Sequence, residues 1–202
     1  MKYRGLIFFT ALVLLTAVLR AALPVNGEAG VYDKLVRLHV VANSDSDEDQ
    51  ALKLKVRDAL LEYSREILSG CTTADEAKAA VEAHRDDIIS VCRGVIAENG
   101  SDHPVSLKLG FEAYPEKTYG GVTLPSGDYY SVRVIIGEGG GHNWWCVLFP
   151  PLCVGAAEEE RSVMASAGLT KDEVDLLTDN DGGKYVLKFR IIEFLRRTFT
   201  SK

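Results

Sequence analysis

The chain has 202 residues, enough for one domain with appendages, and its 47% hydrophobic and 26% charged residues suit a globular protein with a core. A formal net charge of -6 excludes the basic footprint of a nucleic-acid binder, so no nucleic acid is expected as a partner. The sequence has no internal repeat, and its charge clusters are too brief to form disordered tails.

The chain begins with a compartment signal. Lys2 and Arg4 precede an uncharged run over residues 6–19, which Arg20 closes. A basic start before an apolar run of this length reads as an export signal. The run falls short of the ~20 residues that span a bilayer, but a snorkelling Arg20 lets it serve as an uncleaved anchor. Residues 1–23 are therefore expected to be a signal peptide or a signal anchor, with Ala22 and Ala29 as cleavage candidates and a membrane contact if uncleaved.

Residues 34–42 read KLVRLHVVA, with Val36, Leu38 and Val40 alternating with Arg37 and His39 as in a strand. Asn43, Ser44 and Asp45 form a turn. Ser46, three residues before Asp49, opens an amphipathic helix on Leu52, Val56, Leu60, Tyr63 and Ile67, ending near Gly70. A second helix is predicted from Thr73, with Glu76 completing a capping box. Its apolar face carries Ala77, Val81, His84, Ile88 and Cys92, and Asn99-Gly100 ends it. Two helices joined this closely are expected to pack antiparallel.

Strands follow. Val105, Leu107, Leu109 and Phe111 alternate with Ser106, Lys108 and Glu112. Residues 119–124 and 129–136 flank Pro125-Ser126-Gly127-Asp128, which reads as a tight connection between antiparallel partners. Tyr130, Val132, Val134 and Ile136 face one way, Ser131 and Arg133 the other. A last strand covers residues 144–149. Beyond Cys153 lie a polar stretch at 156–161, a short helix at 171–177, a turn at 179–183 and an apolar, basic segment at 185–199 read as helical. The prediction is an α+β fold in which a mainly antiparallel sheet packs against a two-helix hairpin. Its domain spans 31–155, followed by a polar linker and C-terminal helical segment at 156–202.

No catalytic or metal motif survives inspection. Asp45-x-Asp47-x-Asp49 imitates a calcium loop but has Gln50 where glycine is required and Val56 where a bidentate glutamate belongs. The attraction of carboxylates to a helix N-terminus accounts for these acids. His39, His84, His103 and His142 lack metal-ligand spacing. His142 and Cys146 would lie roughly 13 Å apart on an extended strand, too far for a nucleophile–base pair. The glycine run at 137–141 lacks a Gly-Lys-Ser/Thr ending and leads into a strand, which excludes a phosphate loop. No cofactor and no metal are expected.

The most specific stretch is GEGGGHNWWCVLFPPLC, residues 137–153. A glycine loop runs into apolar side chains that Pro150-Pro151 stops, with cysteines on either side. Cys146 and Cys153 enclose that bend and are the candidate disulfide pair, whereas Cys92 reads as a core residue. Trp144 and Trp145, being consecutive on a strand, must face opposite sides of the sheet. A tryptophan beside a mobile loop is a form of interface anchor.

Two long motifs carry a family resemblance: VRLHVVANSDSDEDQALKLKVRDALL and YGGVTLPSGDYYSVRVIIGEGGGHNWWCVLFPPLC. Together, over residues 36–153, they resemble stage II sporulation protein R of endospore-forming bacteria. The resemblance implies a non-enzymatic, exported signal made in the forespore. Such a protein enters the space between the two membranes and activates a membrane-embedded aspartic protease of the mother cell, which processes pro-sigma-E. The expected contact surface joins Asn43, Asp45 and Asp47 with His142, Asn143, Trp144 and Trp145. The alternative reading is an exported hydrolase acting on peptidoglycan through Asp45, Asp47 or His142. A structural envelope module is the third.

Overall fold

The computed structural model describes residues 28–119, 121–152 and 157–178, with positions 9, 10, 12, 13 and 16 of the N-terminal run. The rest of that run, Cys153, and the turn and helical segment expected within 179–202 lie outside the described residues. Among the described residues, no helix is long and apolar enough to cross a membrane.

The elements are α1 (Glu28–Asp33), β1 (Val36–Val41), α2 (Asp47–Ile67), α3 (Ala74–Ala83), α4 (Arg85–Glu98), β2 (Val105–Tyr114), β3 (Lys117–Tyr119), β4 (Val122–Leu124), β5 (Gly127–Ile136), β6 (Asn143–Phe149), α5 (Ala157–Ser166) and α6 (Lys171–Thr178). One sheet has the order β2-β5-β1-β6, and β3 pairs with β4 in a separate hairpin. β2 is antiparallel to β5 and β6 is antiparallel to β1, giving the α+β class with a mainly antiparallel sheet. The central pair, β1 with β5, is parallel. Parallel neighbours need a crossover, and everything from α2 to β4 supplies it.

All six residues of β1 are buried. Val36, Leu38 and Val40 meet the helices α2 and α3, while Arg37 and His39 point to the opposite face. That second face is roofed by the β3–β4 hairpin, on which α6 packs, and by α1 against β5. Alternating Arg and His therefore mark a second buried face here, not a solvent face.

β2 is covered on each face over only part of its length. Val105 and Leu107 are buried under the helices, and Arg85 at the start of α4 donates to the Leu107 carbonyl at 2.8 Å. Leu109 is only half-buried and Phe111 is 65% exposed, although it was expected to point inward with them. Its side is correct, but the helix layer ends before reaching it. Tyr114, on the other face, is buried beneath the hairpin.

Four other local expectations are corrected. The helix predicted from Thr73 to Asn99 is two, broken at His84, whose φ of -99° and ψ of 22° leave the helical region. His84 is not a core residue: its Nδ1 meets Tyr63 Oη at 3.0 Å and Asp87 Oδ2 at 3.1 Å. The hairpin partner of β4 is β3, so Pro125 and Ser126 connect two different sheets. The polar stretch at 156–161 begins α5, and Met164, Leu169, Val174 and Leu177 join the core. The start signals fare well. Ser46 Oγ accepts from the Asp49 N–H, and Thr73 with Glu76 forms a complete capping box.

α6 is tied back to the start of the domain. Lys34 Nζ lies 2.7 Å from Glu173 Oε2, and a Cβ at Gly30 would sit 2.2 Å from Glu173 Oε1. Burial raises the Glu173 pKa, but the bonds from Lys34 and Thr170 outweigh it and hold the carboxyl below its usual value.

Candidate functional site

The loop at 43–46, running into the first turn of α2, leaves β1 and the loop at 137–142 leaves β5, two parallel neighbours whose ends emerge side by side. The second loop turns with positive φ at Gly137 (59°) and Gly139 (68°), a conformation open to glycine. Its main chain then closes onto the first loop. Gly140 N–H donates to Asn43 O at 2.9 Å and Gly141 N–H to Ala42 O at 3.0 Å. A Cβ at Gly141 would lie 2.2 Å from Ser44 O, so the glycine is required by the contact itself.

Side chains complete the closure. Asn43 Oδ1 accepts from the Glu138 N–H at 3.0 Å, and its Nδ2 donates to Asp49 Oδ2 at 2.8 Å. Asp45 Oδ1 accepts from the His142 N–H at 2.6 Å and also contacts its ring Nδ1. Lys53, 5% exposed, reaches the His142 carbonyl at 3.0 Å. Asp49 also takes Ser44 Oγ at 2.5 Å and His103 Nε2 at 3.0 Å. Bonds from Ser44 and Asn43, with His103 adjacent, hold its carboxyl below the usual value against the opposing effect of burial. Asp47 is an exposed acid in the first turn of α2. Two of the three calcium-like aspartates are thus occupied by loop donors, and no three His, Cys, Asp or Glu among the described residues are grouped as a metal site.

The strand after the loop carries the tryptophans to opposite faces. Trp144 pairs with Val40 on the helix side, where the Arg57 guanidinium stands 5.0 Å from its ring centroid. Trp145 pairs with His39 on the other side, its ring 5.6 Å from the imidazole and 5.3 Å from Lys117 Nζ. Both are half-buried, whereas His142 and Asn143 are exposed. Cys146 is buried and disulfide-bonded, and Cys71 and Cys92 are free; Cys153 falls outside the described residues. His142 is paired with Asp45, away from Cys146, and a disulfide-bonded sulfur is no nucleophile.

Sequence reasoning missed a polar core under the hairpin. Arg37 has no exposed surface, and its guanidinium carbon lies 4.3 Å from the Tyr114 centroid, 4.9 Å from Tyr129 and 5.6 Å from Tyr119. Its Nε donates to Cys146 O at 3.2 Å and Nη2 to Tyr119 Oη at 2.9 Å, while Nη1 has no partner. Ring faces and neutral oxygens, not a carboxylate, hold this cation. Burial pushes the Tyr114 and Tyr129 hydroxyls up, so they remain neutral. Beside it, His39 spans Glu112 (Nδ1 to Oε1, 3.0 Å) and Asn143 (Nε2 to Oδ1, 2.7 Å). This links the Trp-bearing strand to β2. Only the recurrence of tyrosine at 114, 119 and 129 hinted at it.

Together these features define a small α+β domain whose distinctive surface is built from two interlocked loops. Residues 32–159 match the sequence model of stage II sporulation protein R, and the chain belongs to that family, placing it among stage II sporulation proteins. Stage II sporulation protein R of Bacillus subtilis strain 168 is 34% identical to it over 128 residues, which cover 63% of this chain and 57% of that relative. The chain therefore spans less than two thirds of that relative's length. No solved structure matches.

Proposed function

We propose that the chain is an exported signal that binds and activates a membrane-embedded aspartic protease of the mother cell, starting pro-sigma-E processing. The observation that carries this reading is the closure of the two motif loops into one surface. The exposed His142 and Asn143 lie there beside two half-buried tryptophans. Family membership supports the sporulation setting, and the basic, apolar N-terminal run supports export into the intermembrane space, anchored if uncleaved.

Binding activates by population shift: a surface that prefers the protease's active arrangement pulls its equilibrium that way by the ratio of the two affinities. Loops braced against each other by these hydrogen bonds suit this role, because less ordering entropy is lost on contact. Trp144, Trp145, His142 and Asn143 are the contact residues, with Asn43 and Asp45 holding the surface in shape and Asp47 at its rim.

The test is co-expression of the exported domain with the protease and its pro-sigma substrate in a non-sporulating host. Processing is expected only when the domain is present, and to fall at least about tenfold with Trp145→Ala or Trp144→Ala. Full processing by both variants, each folded, overturns the contact site. No processing with all three proteins folded and correctly located overturns the trigger, and release of fragments from peptidoglycan would put the hydrolase in its place.

A further inference from the structure

On the sheet face opposite α2, α3 and α4, Lys108 of β2 and Arg133 of β5 stand directly opposite one another in register. Like charges opposed across a strand pair are destabilising. The nearby acid does not neutralise both. Glu112 is shared by Arg133 Nη1 at 3.0 Å, Ser131 Oγ at 2.8 Å and His39 Nδ1 at 3.0 Å. Lys108 has no ionic or hydrogen-bonding partner among the described residues, and Arg133 Nε is buried without an acceptor. These groups line a cleft of about 150 Å³ in which Glu112 sits on the Arg133 side and Lys108 stands across the Gly110 gap from it.

The cleft opens at an edge. β2 ends the sheet, so no described strand pairs with its outer side. At Gly110 nothing lies within 4 Å of where a Cβ would stand, leaving a gap between Lys108 and Glu112 on the same face. Next to it Phe111 is 65% exposed, packed edge-on against Tyr130 at 5.9 Å. Tyr130 is itself anchored to Glu82 at 2.8 Å. An exposed phenylalanine on one face, and on the other an unpaired Lys108 opposite an Arg133 that Glu112 satisfies only in part, thus flank an open strand edge over residues 108–111 of β2.

We infer that this edge is a second docking surface, which takes an extended segment of a partner protein carrying an acidic side chain. The segment adds alongside β2 through main-chain hydrogen bonds. Its carboxylate crosses the Gly110 gap to lie beside Lys108 Nζ, facing the accessible end of the Arg133 guanidinium. An added strand stands about two strand spacings, roughly 10 Å, from β5, a gap that a glutamate and an arginine side chain bridge together. An apolar neighbour in the segment covers Phe111. This inference goes beyond the protease reading and does not depend on it, because the surface is remote in sequence from the loops and its binding is measured directly.

The test uses the purified chain and two fluorescein-labelled, end-blocked pentapeptides, Thr-Val-Glu-Val-Thr and Thr-Val-Gln-Val-Thr, followed by fluorescence anisotropy. The glutamate peptide is expected to bind saturably and the glutamine peptide about tenfold more weakly or worse. Lys108→Gln and Phe111→Ser, both at exposed positions, are each expected to weaken the glutamate peptide at least about fivefold with an unchanged circular dichroism spectrum. Methylating alternate peptide amides should abolish binding, since an added strand needs them. Equal binding of the two peptides, no saturation at millimolar peptide, or Lys108→Gln without effect overturns the proposal. Equal competition by acetate at the same carboxylate concentration reduces it to a simple anion site and overturns the strand addition.

Discussion

Asp45 and His142, 97 positions apart in the chain, are joined twice through one oxygen: Asp45 Oδ1 accepts the His142 main-chain N–H and contacts its ring Nδ1. The pairing turns two motif loops into one body. It also accounts for both residues without catalysis, since the carboxylate is engaged in holding the loop that carries the tryptophans.

The closeness of that contact leaves no space at Gly141. Gly141→Ala drives a methyl group onto the Ser44 carbonyl and should cost about 1–3 kcal/mol, read by urea denaturation followed by tryptophan fluorescence. A loss below ~0.5 kcal/mol would mean that the loops separate freely.

Acid should release the same clamp. Asp49 has a folded-state pKa below its value in the unfolded chain, so its contribution is present above about pH 4 and is lost as pH falls through the lowered value. Glu76 and Glu173 act in the same sense. Thermal unfolding between pH 6 and 3 should show a falling Tm, and Asp49→Asn should start lower and fall less steeply. Parallel curves for the two chains would assign the acid sensitivity elsewhere.

The changeover of the covered face along β2 has a direct mutational reading. Leu107→Ala, at a position 5% exposed, should cost about 2–5 kcal/mol, whereas Phe111→Ala should stay within about 0.5 kcal/mol. Similar losses at the two sites, measured by chemical denaturation, would show the helix layer reaching further along the strand.

The two free thiols should differ sharply. Burial pushes the Cys92 thiol up to about 12, while Cys71 is raised less and is partly accessible. Iodoacetamide at pH 8 should therefore modify Cys71 in the native chain and Cys92 only after unfolding. Mass spectrometry of the labelled peptides decides it.

What the sequence displayed clearly was local chemistry. The Ser46 and Thr73 caps, the start of α2 and the opposed faces of Trp144 and Trp145 follow from one residue's bonds to its near neighbours. What it hid depended on distant coverage. Arg37 and His39 showed only as the polar half of an alternation, which reports a difference between two faces, and here both faces are covered by elements far along the chain. The break at His84 was hidden for a related reason: the apolar periodicity continues in phase across it. Within the candidate surface, each half was conspicuous as a motif, but their contact rests on main-chain bonds of Gly140 and Gly141 that no side-chain pattern encodes.

The central strand bears on how the chain matures. β1 is the first strand of the sheet to leave the ribosome, yet Val36 must await Tyr130 on one flank and Phe149 on the other. Loop-closure entropy opposes such distant pairings until both are available, so the sheet assembles late and as a unit. A chain that stops short of Phe149 holds an apolar ribbon with an unpaired side, the kind of exposed edge that chaperones and proteases engage. The surface formed by the loops beyond β1 and β5 therefore requires the chain through β6, because β1 is flanked only by strands that follow it.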